Sequence, residues 1–124
     1  MKRFFKNNYA SYILDAGILE VIYTEGLRIN LKEAQLIVSD RLYFQDHLSC
    51  PILCDVQGVT AIDFDARNYL AGYGSALTTA VALLATDKPH HVLADYFISI
   101  ASPKIPTKFF NNRAQALLFL ETFK

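Results

Sequence analysis

Two apolar segments in the middle of the chain constrain the fold more than any other feature. Residues 51–56 and 78–85 are short and almost continuously apolar, without the polar–apolar alternation of a half-buried strand. Such segments are typical of central strands that are covered on both faces of a parallel sheet. Each is followed by a segment with helical spacing, so the sequence predicts an α/β fold with covering helices.

Four segments show helical spacing behind a capping residue. Asn30 and Glu33 form a capping-box pattern in front of the first helix, which is predicted to run to about Asp46. Asp63 caps the second helix, which is predicted to extend to about Gly74. The third helix is predicted to open at Asp87-Lys88-Pro89, carry an apolar stripe from Val92 to Ile100 and end at Pro103, and the last begins at Asn111 or Asn112.

The N-terminal part of the chain predicts a β-hairpin. Tyr9 to Leu14 and Ile18 to Thr24 are strand-like runs on either side of a short turn that ends in Gly17. One face of the second run is fully apolar and is expected to meet the core: Leu19, Val21 and Tyr23.

A final short strand is predicted at Ile105 to Phe110, near an edge of the sheet because Pro106 cannot donate a ladder hydrogen bond. The predicted order is therefore ββαβαβαβα, an antiparallel hairpin joined to a mixed, mainly parallel sheet.

Composition limits the domain count and the class of partner. A chain of 124 residues is expected to form a single domain over residues 1–124, with residues 1–8 as a flexible basic tail. Hydrophobic residues make up 52%, which excludes intrinsic disorder. Twelve basic and twelve acidic residues balance, so a nucleic-acid partner is not expected.

The cysteines and the longest uncharged segment bear on the compartment. Cys50 and Cys54 are too few for a disulfide framework and are expected to be reduced, in a cytoplasmic protein. Within the uncharged stretch 68–86, the continuous apolar run Ala80–Ala85 is too short to cross a bilayer, so no integral membrane segment is expected.

The segment from Cys50 to Leu70 resembles the STAS domain, the SpoIIAA-like fold of anti-sigma-factor antagonists. Pro51-Ile52-Leu53-Cys54-Asp55 matches the buried strand that ends in Asp, Val59 the hydrophobe of the following loop, and Ile62-Asp63 the start of the next turn. The chain is more closely similar to a family of small bacterial STAS/SEC14-like proteins, whose C-terminal pattern matches Pro103 to Phe110.

One departure from the resembling family changes the functional expectation. The antagonists carry a phosphorylated Ser in the turn, where this chain has Asp63-Phe64-Asp65-Ala66. Asp65 then occupies the phospho-acceptor position, as a permanent single negative charge in place of a phosphate. The kinase-controlled switch that the resemblance implies is therefore not expected in its usual form, although Thr60 offers a nearby hydroxyl.

The leading functional hypothesis is a non-catalytic interaction and signalling module that needs no cofactor and binds a protein partner. Its expected partner face is Thr60, Asp63, Phe64, Asp65, Arg67, Tyr69 and Tyr73. Seven Tyr and nine Phe exceed what one small core readily hides, which suggests a homodimer face or an apolar groove. The alternatives are binding of an apolar small molecule or lipid, as the SEC14-like resemblance implies, and a metal-dependent enzyme that uses Asp55, Asp63 and Asp65.

Overall fold

The structure is a computed structural model that describes residues 2–98 and 103–124. Its strands are β1 (Arg3–Lys6), β2 (Ala10–Asp15), β3 (Ile18–Tyr23), β4 (Leu27–Ile29), β5 (Cys50–Asp55), β6 (Val59–Ile62), β7 (Thr78–Leu84) and β8 (Thr107–Phe110). Its helices are α1 (Leu31–Gln45), α2 (Phe64–Ala71), α3 (Lys88–Tyr96) and α4 (Arg113–Glu121), with a 3-10 turn at Tyr73–Ser75.

A six-stranded mixed sheet forms the centre of the fold, in the order β1-β2-β3-β5-β7-β8. The first three strands are antiparallel, whereas β3, β5, β7 and β8 run parallel to one another. The predicted hairpin is confirmed as β2 and β3, and the two continuously apolar segments are confirmed as the interior strands β5 and β7. Strand β8 lies at the edge, as Pro106 indicated.

The two faces of the sheet are covered by different helices. Helix α4 packs on one face, where the small residues Ala80 and Ala82 of β7 lie in a buried cluster with Ala116 and Leu120 of α4. The opposite face carries Leu19, Val21 and Tyr23, as predicted, and faces α1, α2 and α3. Coverage on both sides explains why β5 and β7 lack polar alternation.

Three strands were not predicted from the sequence. In place of the tail suggested for residues 1–8, Arg3–Lys6 forms β1, which pairs antiparallel with β2. Strands β4 and β6 form a separate two-stranded parallel sheet, so Val59 lies in a strand rather than in a loop. All three strands are short, with three or four residues, and the period-2 pattern cannot be recognised over such a length.

The predicted helix starts agree with the structure. Asn30 N donates to Glu33 Oε1 (3.1 Å), and Asp63 Oδ1 accepts from Ala66 N (2.8 Å). Asp87 and Asn112 cap α3 and α4 in the same way. Helix α2 ends at Ala71, earlier than expected, and continues as the 3-10 turn.

The predicted stripe on the third helix is only partly an inner face. Leu93 and Phe97 point into the interior, but Val92 is 61% exposed. Ile100 lies in the segment 99–102 of the predicted helix, which is outside the described residues. Across the ranges 2–98 and 103–124, no helix combines the length and apolar character needed to cross a membrane.

Candidate functional site

A partly open cavity lies between the sheet and helices α1, α2 and α3. Its volume is about 110 Å³, and most of the surrounding side chains are apolar. The strands contribute Val21, Tyr23, Ile52, Cys54, Val81, Leu83 and Thr107; the helices contribute Ile37, Val38, Arg41, Leu70, Ala71, Leu93 and Ala94. Ile29 of β4 and Val59 and Ile62 of β6 also line the cavity, so the small parallel sheet forms part of the wall.

The size of this cavity is unusual for a small domain. Protein interiors are close-packed, and the few voids that they hold rarely exceed a water molecule. Unfilled apolar volume is destabilising, by roughly 24 cal/mol per Å³ where a cavity is fully enclosed. An apolar cavity of about 150 Å³ is known to stay dry and to bind benzene. The volume observed here therefore fits one aromatic ring or a short aliphatic chain.

Arg41 of α1 is the charged residue among those that line the cavity, and it is 4% exposed. Its Nη1 donates to Gln45 Oε1, to Thr78 Oγ1 (3.3 Å) and to the carbonyl oxygen of Ala76 (3.2 Å). Its Nη2 donates to the carbonyl oxygen of Gly74 (2.9 Å). All four acceptors are neutral, and Arg41 forms no ion pair with any residue in the described part of the chain.

Burial favours the neutral form of the ionisable groups around the cavity. Desolvation lowers the pKa of Arg41, while it raises the pKa of Cys54 to about 11 and that of Tyr23 well above 10. Both acids are therefore neutral at physiological pH, and an arginine remains protonated. The cavity wall thus carries one positive charge and no negative charge among the described residues.

The predicted partner face lies outside the cavity, around α2. Phe64 and Tyr73 are 60% and 78% exposed, whereas Tyr69 is half-buried and packs against the interior cluster of Ile29 and Val59. The Tyr69 and Tyr73 ring centres are 5.6 Å apart. The prediction therefore combines two exposed aromatic residues with one that belongs largely to the core.

The polar members of this predicted face have local partners. Thr60 Oγ1 donates to the carbonyl oxygen of Leu27 (3.0 Å), and Arg67 Nη1 donates to that of Ile62 (3.2 Å). Asp63 is the cap of α2, and Asp65 is exposed in the first turn of the same helix. A carboxylate there is stabilised by the helix dipole whether or not it contacts a partner.

The three carboxylates proposed for an enzyme do not converge. Asp55 Oδ1 accepts from the backbone and side-chain nitrogens of Gln57, both at 3.1 Å, and Asp63 is occupied with Ala66 N. Within residues 2–98 and 103–124, no group of three His, Cys, Asp or Glu residues could hold a metal ion. A metal-dependent reaction therefore has no support in this arrangement.

The two adjacent histidines of α3 also serve local contacts. His90 Nδ1 lies 2.5 Å from Asp87 Oδ1, and its Nε2 lies 2.8 Å from the carbonyl oxygen of Val59. The His91 ring stands edge-on to Phe109, with the centres 4.3 Å apart. His90 therefore links the start of α3 to β6, at a residue that lines the cavity, Val59.

Comparison with known proteins places the chain in a family. The family model "Domain of unknown function (DUF7793)" matches residues 12–124, and the chain belongs to this family. The structure resembles that of an uncharacterized DUF3478-family protein with a SpoIIAA-like fold from Shewanella loihica PV-4. Their TM-score is 0.55 at 11% identity, over 97% of this chain and 92% of that chain. The predicted SpoIIAA-like fold is confirmed.

A second solved structure, a protein with unknown function from Arthrobacter sp. FB24, is 26% identical over 89% of this chain and 97% of that chain. Its TM-score is 0.35. No curated protein matches the chain.

Arg41 is the site residue that sequence reasoning missed. It follows Ala34, Ile37 and Val38 at helical spacing, so it belongs to the inner face of α1. A charged residue in the middle of an apolar stripe was the available signal. The signal was not decisive, because a long arginine side chain can also leave such a position for solvent.

Proposed function

We propose that this protein is a binding module that holds a small apolar molecule between its sheet and helices α1–α3. The observation that carries the proposal is the 110 Å³ cavity with its predominantly apolar wall. A ligand that fills this volume would bury apolar side chains of the wall and stabilise the folded state.

The size of the cavity distinguishes a small apolar ligand from a lipid with a long acyl chain. A single ring or a short chain matches the volume, since a cavity of about 150 Å³ accommodates benzene. A long acyl chain would need several times this volume. The proposal therefore favours a small apolar compound over the lipid suggested by the SEC14-like resemblance.

Native mass spectrometry of protein purified gently from its own host tests this function. The wild-type protein should carry a discrete added mass of small-molecule size. The matched control is Ala94→Leu, because Ala94 is 3% exposed and lines the cavity, so a larger side chain fills the same volume. Loss of the added mass in the variant supports the proposal, whereas an equal added mass on both proteins contradicts it.

Protein docking on the outer side of α2 is a second candidate function. It is supported by two large side chains that remain mostly exposed: Phe64 at the start of α2, next to Asp63 and Asp65, and Tyr73 just beyond the end of the helix. Exposed aromatic residues of this kind are enriched at the centres of interfaces. The partner that fits is a protein surface with an apolar centre and basic residues around it, as a complement to the two carboxylates.

Photo-crosslinking in the host tests the second candidate. A crosslinker at Phe64 should give an adduct of one defined mass, and Asp65→Asn should weaken it. A crosslinker at Leu118 of α4, which is 70% exposed on the other side of the sheet, is the control. An adduct of twice the chain mass would identify a homodimer. Equal adducts at both positions would contradict a specific face.

A further inference from the structure

We propose that the ligand of the cavity is a small apolar monocarboxylate whose carboxylate group binds Arg41. This inference rests on the proposed function, because it assigns a chemical class to the molecule that the cavity holds. It depends on the charge, the hydrogen bonding and the position of one side chain.

Arg41 is a buried cation. Moving a cation out of water is expensive, and an unpaired buried charge is normally compensated by a counter-ion. Arg41 has only neutral acceptors, and the acidic groups that influence it are thiols and phenols: Cys54, Tyr23, Cys50 and Tyr12. Among the described residues, none supplies the compensating charge.

The guanidinium group of Arg41 has more N–H donors than the described residues use. A guanidinium group has five N–H donors. The bonds to Gln45, Thr78, Ala76 and Gly74 use the two Nη1 hydrogens and one Nη2 hydrogen. The Nε hydrogen and the second Nη2 hydrogen have no acceptor among the described residues. A carboxylate accepts two such N–H bonds, and arginine is well suited to this bidentate geometry.

The side chain of Arg41 is held at the wall of the cavity. Arg41 lines the cavity together with Cys54 and Tyr23. The bonds to the 3-10 turn and β7 fix the guanidinium group before any ligand arrives, so little side-chain entropy remains to be lost on binding. The wall therefore offers a pre-oriented cation beside an apolar volume of about one ring.

Benzoate and benzyl alcohol are the probes, since they share a ring but differ in charge. Isothermal titration of the wild-type protein should show benzoate binding at least tenfold more tightly, because a buried charge-assisted hydrogen bond is worth about 1.5–3 kcal/mol. Arg41→Gln should remove this preference, so that the two probes bind with similar affinity. Ala94→Leu should abolish the binding of both probes.

Two further measurements keep the test decisive. If Arg41→Gln does not fold, Arg41→Lys keeps the charge but loses the planar fork, and the preference for benzoate should fall without vanishing. Benzoate should also slow the reaction of Cys54 with a thiol reagent, because the ligand would cover a wall that includes this thiol. Protection of Cys54 locates the probe inside the cavity.

The outcomes separate this inference from the proposed function. Equal binding of both probes, abolished in Ala94→Leu, keeps the cavity as the site and overturns the carboxylate assignment. If neither benzoate nor benzyl alcohol binds, both the carboxylate assignment and the proposed function are overturned. Preferential binding of benzoate that Ala94→Leu does not change would place the anion elsewhere and also overturn the assignment to Arg41.

Discussion

Glu20 and Arg113 form a two-point ion pair that joins the hairpin to the last helix. Arg113 Nη1 lies 2.5 Å from Glu20 Oε2, and Nη2 lies 2.6 Å from Oε1. Glu20 is 8% exposed on the α4 side of β3, and its contact raises the pKa of Arg113 through the side-chain hydrogen bond. The pair satisfies a carboxylate that would otherwise be nearly buried without a partner.

Removing Arg113 should therefore destabilise the protein. Arg113→Ala leaves the Glu20 carboxylate uncompensated, and we expect a loss of about 1–2 kcal/mol, moderated because the arginine itself is half exposed. Urea unfolding at neutral pH measures this loss. Lys124→Ala, which breaks the exposed pair with Glu121, is the control and should change stability by less than about 0.5 kcal/mol. Equal losses would contradict this account.

Periodicity and capping residues predicted most of the scaffold, because these signals arise from residues that are close together in the sequence. The side chains of Asp63, Asp87 and Asn112 each accept a hydrogen bond from the backbone nitrogen three residues further on. Because both partners are close in the sequence, such a cap can be recognised from the sequence alone. The pair between Glu20 and Arg113 spans 93 residues, and nothing in either local pattern indicates the other partner. Long-range polar contacts of this kind depend on how α4 packs on the sheet.

Cys54 should react slowly with thiol reagents at mildly alkaline pH. Burial raises its pKa to about 11, and the thiolate is the reactive form, so only a small fraction is available at pH 8. A thiol titration of native protein at pH 8 should be slow, and it should become fast in denaturant. Cys54→Ser keeps the signal of Cys50 alone and separates the two thiols. Rapid modification of native Cys54 would contradict the raised pKa of this thiol.

Alkaline conditions should destabilise the fold through Tyr12. Burial raises the pKa of Tyr12 to about 12, above its ordinary value of 10, so the folded state holds the phenol proton more tightly. The stability from this neutral phenol is fully present below pH 10 and is lost as the pH rises through 12. The loss is on the order of 3 kcal/mol.

Urea unfolding at several pH values between 9 and 12 measures this dependence. Tyr12→Phe should be less stable at pH 7, because the hydroxyl donates to the carbonyl oxygen of Ile37 (2.9 Å), but its stability should fall less steeply above pH 10. Tyr43→Phe is the control, since Tyr43 is 88% exposed and its replacement should leave the curve unchanged. Parallel curves for wild type and Tyr12→Phe would contradict the prediction.

The candidate site was harder to predict than the scaffold. The sequence drew attention to Asp63 and Asp65, because carboxylates at a helix start match a known motif position. The cavity depends instead on the way in which β4 and β6 pair and on the spacing between α1 and the sheet. An empty volume is a property of packing, and it leaves no pattern in the order of residues.

Gly58 should not tolerate a side chain. A Cβ atom at this position would lie 2.6 Å from the carbonyl oxygen of Thr24 and still closer to that of Tyr23. Both neighbours are backbone atoms that cannot move aside cheaply. Gly58→Ala should lower the free energy of unfolding by about 2–3 kcal/mol. Gly74→Ala is the control, because its nearest neighbours lie 3.5 Å away, and it should change stability by about 0.5 kcal/mol or less.

Filling the cavity should stabilise the ligand-free protein, which is opposite to the usual effect of enlarging a core residue. Ala94 and Ala80 are both almost completely buried, but only Ala94 lines the cavity. Ala94→Leu adds methyl and methylene groups to unoccupied volume, and we expect a gain of about 1 kcal/mol. Ala80→Leu forces the same atoms against α4 and should cost about 1–3 kcal/mol. Urea unfolding of both variants measures the contrast, and a similar loss in each would mean that the space beside Ala94 is not available to a side chain or to a ligand.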